Sequence, residues 1–252
     1  MVTRKPVFLV IGAGAGIGGH AAQRFAVGGY HAVLARRSDA EGLQKLVDAI
    51  TEAGDEASGR LLDASLPDTI EELVEEVERD IGPIEVALFN LGAQIGNRSL
   101  ADTSDRMFEL GWRLATYAPF RLARALMPHM VSREKGTLIV TSATAAMRGN
   151  AGQHSHAAAM GGRRMLCQTL NAEFAPQGIH ISHVVIDGAV NAPDTLGKML
   201  GDKFEAFKGE DGVLDPAAVA ETYWHLAHQP RSAWTHEVDL RPWTDVPWWN
   251  DN

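Results

Sequence analysis

Val7-Phe8-Leu9-Val10-Ile11-Gly12-Ala13-Gly14-Ala15-Gly16-Ile17-Gly18 joins a short apolar run to a glycine-rich turn, and the pattern after it, Ile17–Val27, is helical with His20, Ala21, Ala22 and Phe25. Strand, glycine turn and helix in that order make a cradle for a bulky anion. Glycines let the backbone bend sharply and come close to a ligand, and the helix aims its unpaired N–H groups and positive dipole end at it. In this context the turn reads as a dinucleotide-phosphate site; the alternative is a tight strand–helix turn that binds nothing.

The rest of the chain repeats the alternation. Strands are expected at Val7–Ile11, Ala32–Ala35, Gly59–Leu62, Val86–Asn90, Thr137–Thr141, His180–Ile186 and Glu237–Leu240. Helices are expected at Ile17–Val27, Ala40–Ala53, Pro67–Asp80, Ser104–Met130, Ser155–Ala175 and Pro216–His228. Gly28-Gly29, Gly54, Gly82-Pro83 and Gly178 each fall just past a periodic run, where helices stop. Such alternation predicts an α/β fold: a single doubly wound (Rossmann) domain over residues 1–252, with a seven-stranded parallel sheet and helices on both faces. Its ligand belongs beyond the C-terminal strand ends, near the switch point after the first strand. Residues 187–215, rich in Gly, Asp and Lys, read as a substrate lid or as a connecting surface loop. The tail 241–252 carries Trp243, Trp248 and Trp249. Those indoles are expected on a subunit interface, over the cleft, or folded back on the chain's own core.

With 252 residues, 45% of them hydrophobic, the chain can bury a full core. The net charge of −9 lies on acidic helices such as Ile70–Asp80, and the absence of a basic stripe argues against a nucleic-acid partner. A lone cysteine, Cys167, rules out an internal disulfide and fits a reducing compartment. The start MVTRKPVFLV dissolves into glycines without a cleavage site and reads as a first strand. No stretch approaches the ~18 apolar residues of a membrane span, so a soluble, cytoplasmic protein is expected.

In these residues the chain resembles the short-chain dehydrogenase/reductase family along essentially its whole length. Gly12-x-x-x-Gly16-x-Gly18 has the family spacing, with Ile11 where many members have Thr. Asp63 with Ala64 matches the position that holds the adenine ring. Phe89-Asn90-Leu91-Gly92 matches half of the family's Asn-Asn-Ala-Gly. Asp187-Gly188 stands for Pro-Gly, and Val190 falls where a backbone group meets the nicotinamide carboxamide. The resemblance therefore implies cofactor contacts from Gly12, Gly16, Ile17, Gly18, Asp63, Ala64, Asn90, Gly92 and Val190. It also implies a homodimer or homotetramer formed through the helices at Ser104–Met130 and Ser155–Ala175, where Ala157, Ala158, Ala159, Gly161 and Gly162 permit close approach.

NAD-preferring members carry an acidic residue at the end of the second strand. Here that end reads Leu34-Ala35-Arg36-Arg37, with no carboxylate before Asp39. A guanidinium fork suits a 2′-phosphate by charge and by geometry, so NADP is expected in preference to NAD. Exposed cations, or an arginine stacked on adenine, are the plainer readings of Arg36 and Arg37.

Family catalysis uses Ser, Tyr, Lys and Asn. Aligning the pattern places Ala143, His156, Met160 and Ala115 at those positions, and sliding it cannot restore the pair: no Tyr lies between Tyr117 and Tyr223, and no Lys between Lys135 and Lys198. His156 is the candidate proton donor, because imidazole titrates near ~6.5 without a lysine to tune it. Ser142 or Thr144 would hold the substrate oxygen. Arg163 or Arg164 would have to replace the ammonium, although Arg163 lies roughly 10 Å along the helix axis from His156. A buried, hydrogen-bonded His156 with no catalytic part is the competing reading. Three functions are carried forward: an NADP-dependent oxidoreductase acting on a small carbonyl or alcohol with an atypical proton donor; a catalytically degenerate nucleotide-binding sensor or scaffold; and a non-redox enzyme using His156 as acid/base.

Overall fold

The computed structural model describes residues 4–92, 97–192, 201 and 211–250. Among them, β1 (Val7–Ile11), β2 (His31–Arg36), β3 (Ala57–Leu61), β4 (Ile84–Phe89), β5 (Gly136–Ala143), β6 (Ile179–Ile186) and β7 (Glu237–Leu240) form one sheet. Its order is β3-β2-β1-β4-β5-β6-β7 and every neighbouring pair is parallel. Six helices connect the strands: α1 (Ile17–Val27), α2 (Ala40–Glu52), α3 (Thr69–Glu76), α4 (Asp105–Trp112) running on into α5 (Ala118–Ser132), and α6 (His154–Phe174). A seventh, α7 (Pro216–Ala227), precedes β7. The expected Rossmann sheet is present, strand for strand. Among the described residues no helix is long and apolar enough to cross a membrane.

Helices cover both faces, so the inner strands must be apolar on both faces and read as near-continuous hydrophobic runs, while the edge strands β3 and β7 are half-buried. Val7, Leu9, Ile11, Ala87, Phe89, Leu138 and Val140 pack with α3, α5 and α6. Phe8, Val10, Val86, Leu88 and Ile139 face α1, α2 and α7, where Phe8 stacks on Phe25 with ring centroids 4.0 Å apart. Local chemistry sets the helix starts. Ser104 accepts from the Met107 N–H at 3.4 Å to begin α4, and Asp215 accepts from the Ala217 N–H at 2.9 Å behind Pro216 to begin α7.

Two expected helices are not uniform. A wider π turn at Val77–Ile81 ends the expected Pro67–Asp80, and another at Arg113–Tyr117 joins α4 to α5 inside the expected Ser104–Met130. The second shapes the site, as described below. Of the expected lid 187–215, residues 193–200 and 202–210 lie outside the described residues, as do 251–252 of the tail.

Beneath the β3–α3 connection, Arg121 of α5 is only 3% exposed. It donates through Nε to Glu71 at 3.0 Å and through Nη1 to the Leu66 carbonyl at 2.6 Å. That hydrogen bond from Arg121 holds the Glu71 carboxyl below the usual carboxylate range. A carboxyl with a depressed folded-state pKa contributes stability above its unfolded pKa and loses it as pH falls through the folded one. We therefore expect E71Q to cost about 2 kcal/mol at pH 7, since it strands a buried guanidinium whose partner is partly solvated. In urea denaturation the gap to wild type should hold at neutral pH and close as the pH drops below about 4.

Candidate functional site

At the C-terminal ends of β1 and β4 the sheet order changes direction, and the site forms there. Gly12, at φ +101°, turns the chain out of β1; a Cβ on it would lie 2.9 Å from the Asn90 carbonyl carbon and oxygen. A Cβ on Gly18 would lie 2.5 Å from the Gly12 oxygen, so the turn folds onto the helix start with no room for side chains. Asn90 sits just past β4 and donates from Nδ2 to the Gly12 oxygen at 3.1 Å, which fixes the turn against the neighbouring strand. α1 starts at Gly16 with no side-chain cap and no acidic residue in its first turn, leaving its dipole end open to an anion.

Two joined compartments open above this turn, sharing Gly12, Gly14, Leu91 and Gly92. The smaller, about 320 Å³, is lined by Arg36, Arg37, Asp63 and Ala64. Arg36 is 3.1 Å from Asp39, while Arg37 at the end of β2 is exposed. Asp63 accepts from the Ser65 hydroxyl at 2.6 Å and from its N–H at 2.9 Å; the hydroxyl is the main reason its carboxyl titrates below the usual range. The larger compartment, about 610 Å³, is lined by Ile17, Thr141, Ser142, His156, Met160, Arg163 and Val190. The fold thus brings the expected cofactor residues and both expected catalytic residues onto one cleft.

Within that larger end, the Ser142 hydroxyl is buried, 3% exposed, and has no hydrogen-bond partner. His156 is 8% exposed on the buried stripe of α6, with Met160 and Arg163. Thr141, on the opposite face of β5, is engaged with the Tyr223 hydroxyl at 2.8 Å. Val190 forms a parallel bridge with Leu214, which closes the cleft wall beyond β6.

Sequence reasoning underrated Arg163. Its side chain is fully buried, and it reaches the cleft by extending sideways rather than along the helix axis. Nε donates to the Ala115 carbonyl at 2.6 Å, Nη1 to the Thr141 carbonyl at 2.6 Å and Nη2 to the Leu91 carbonyl at 3.0 Å. Ala115 lies in the π turn, where the widened helix frees a carbonyl for such a donor. The guanidinium stands 5.1 Å over the Phe89 ring. Burial pushes Arg163 down to about 10, so it stays cationic at pH 7. The available signal was periodicity: His156, Met160, Arg163, Cys167 and Leu170 recur at helical spacing on one buried face. Arg164 points elsewhere and pairs with Glu237 at 2.7 and 2.8 Å.

Small residues of α6 serve contacts within the chain. A Cβ on Gly162 would lie 3.0 Å from the Thr116 hydroxyl, which donates to the Ala159 carbonyl at 2.7 Å. Of the tail indoles, Trp248 folds back on its own domain, donating from N to Asp187 at 3.1 Å and from Nε1 to Asp239 at 2.9 Å, whereas Trp243 is 77% exposed. His183 of β6 is wholly buried against Glu237 of the neighbouring β7 at 3.0 Å, and burial lowers it to about 4.

Residues 6–196 match the family described as short chain dehydrogenase. Among known proteins the chain is 30% identical over 243 residues to the short-chain reductase protein NovJ of Streptomyces niveus, covering 96% of this chain and 89% of that one. A solved short-chain dehydrogenase from Rhodopseudomonas palustris superposes with a TM-score of 0.81 at 34% identity, over 95% of this chain and all (100%) of the other. A metagenomic short-chain oxidoreductase solved in complex with NADP superposes with a TM-score of 0.79 at 25% identity, covering 95% and 98%.

Cys167 lies one helical turn beyond Arg163 and is 1% exposed. Burial raises its thiol to about 12 against the opposing effect of Arg163. A buried thiol that stays protonated is inert. We expect a thiol reagent to leave the native protein unmodified at pH 8 and to label Cys167 only as fast as the chain unfolds; rapid native labelling would contradict this packing.

Proposed function

The chain belongs to the short-chain dehydrogenase/reductase family, and from that footing we propose that it is an NADP-dependent oxidoreductase that reduces a small carbonyl compound with His156 as proton donor. The observation that carries this reading is the two-ended cleft: arginines at one end, and an unpartnered buried hydroxyl with an imidazole at the other. The residues fit the dinucleotide. Arg36 and Arg37 would hold the 2′-phosphate, and no carboxylate sits at the end of β2 to favour a free ribose hydroxyl. The uncapped start of α1 would take the pyrophosphate, and Asp63 with Ala64 the adenine. The NADP of the metagenomic relative supports the same assignment.

When bound, NADPH supplies the hydride that adds to the carbonyl carbon. Ser142 donates its hydroxyl hydrogen to the carbonyl oxygen and so satisfies its own buried Oγ. His156, as imidazolium, delivers the proton to that oxygen. Val190 and Met160 give the compartment apolar walls that exclude water.

One set of positions favours a second reading. Ala115, Ala143 and Met160 stand where we align the family's Asn, Ser and Lys, and on that alignment those three side chains are replaced here. On that reading the cleft binds the nucleotide for sensing or assembly and turns nothing over. Steady-state assays with NADPH and a panel of ketones and aldehydes separate the two. For the first reading, turnover falls as pH rises, because the protonated imidazole is required. H156F should lose about 100-fold in kcat, and S142A about tenfold in kcat/KM. NADPH binding without turnover of any carbonyl favours the second reading, and an H156F variant of full activity removes histidine from the mechanism.

A further inference from the structure

The larger end of the cleft rests on a positive charge that no carboxylate among the described residues pairs with. Arg163 meets three backbone carbonyls at 3.0 Å or closer, a fourth (Leu114) at 3.5 Å, and a phenyl ring, and among the described residues none of its partners is a carboxylate. Carbonyl oxygens satisfy guanidinium hydrogens but carry no net charge, so the full unit charge remains. The residues lining this end include no aspartate or glutamate. Asp187, just past β6, pairs with Arg241 at 3.1 Å, and Glu237 of β7 pairs with Arg164 at 2.7 Å. Cys167, next to Arg163 on α6, holds its proton. A buried guanidinium without a counter-ion is costly to keep, and a charge in a low-dielectric floor acts over a longer range than one in water.

We propose that Arg163 sets which oxidation state of the cofactor this cleft prefers, holding the neutral reduced nicotinamide ring and disfavouring the cationic oxidised one. This rests on the NADP reading given above, which puts the adenosine half at Arg36 and Arg37 and leaves the nicotinamide half for the compartment over Arg163. The two forms of the dinucleotide have the same phosphates and sugars. They differ at the ring, which is a pyridinium when oxidised and uncharged when reduced. A fixed cation beneath that ring therefore repels one form and is indifferent to the other. Arg163 acts through its charge from the buried floor of the compartment, its hydrogens being taken by peptide carbonyls. It is a specificity-determining residue and takes no part in proton or hydride movement. The consequence is directional: the protein retains NADPH, releases NADP, and is suited to reduction.

The test is a pair of binding titrations, NADPH and NADP, by calorimetry at pH 8, above the ordinary imidazole range. Wild type should bind NADPH more tightly by about tenfold or more. R163Q should shrink that ratio to about a third or less of the wild-type value. A purely structural role would weaken both forms equally and leave the ratio where it was, so partial loss of fold cannot imitate the effect. R164Q is the control, because the charge of Arg164 is already paired with Glu237, and it should keep the wild-type ratio. Equal affinity of wild type for both forms overturns the proposal even if R163Q fails to fold. An unchanged ratio in R163Q overturns it, as does a matching change in R164Q. If wild type binds neither form, the NADP reading itself falls and takes this inference with it; if both bind equally, only this inference falls.

Discussion

Everything at the site follows from how closely two stretches of backbone approach each other. Gly12 packs against the Asn90 carbonyl with no space for a Cβ, and the Asn90 amide returns a hydrogen bond to the Gly12 oxygen. That contact joins β1 and β4 at the place where the sheet order reverses. It directs the chain into α1 with the helix start facing outward, and it makes Leu91 and Gly92 the hinge between the two compartments. A side chain at Gly12 would collide with the Asn90 carbonyl and push the strands' ends apart.

The floor of the larger compartment is built on a second constraint of a different kind. Arg163 gathers three carbonyls from the end of β4, the π turn and the end of β5. Three segments far apart in the sequence are thus fixed by one planar group whose donors point in set directions. Such a group is costly in a core unless its hydrogens are satisfied and its charge has a use. The hydrogens are satisfied here by peptide oxygens, which leaves the charge acting on whatever lies above it. Among the described residues lining the same region there is no tyrosine or lysine, and Ser142 and His156 are among the polar residues that line the compartment.

Much of this was legible in the sequence, and for identifiable reasons. Parallel strands buried on both faces leave near-continuous apolar runs, so β1 is found to the residue and the other inner strands within a few; β7, Glu-Val-Asp-Leu at the sheet edge, is half-buried and also lies where expected. Helix ends are marked by local chemistry, such as Asp215-Pro216 before α7 and Gly28-Gly29 after α1. The glycine spacing and the pair Arg36-Arg37 also depend only on near neighbours. What was not legible depends on contacts between distant segments. The direction taken by Arg163 depends on carbonyls 22, 48 and 72 residues away, and a distance counted along the helix axis makes its reach look too long. Trp248 is tied down by Asp187 and Asp239, a pairing that composition of the tail cannot reveal. The π turn at Arg113–Tyr117 has no sequence signal that we can name.

The central claim is that one cleft holds a phosphorylated dinucleotide lengthwise, with the arginines of β2 at one end and His156 at the other. A crystal structure of the protein with NADPH tests it most directly. The account predicts the 2′-phosphate between Arg36 and Arg37, the pyrophosphate over Gly14 and Gly16 at the start of α1, and the nicotinamide beside Ser142 and His156 above Arg163. A dinucleotide bound in the reverse sense, or seated away from the Gly12–Gly18 turn, would contradict it.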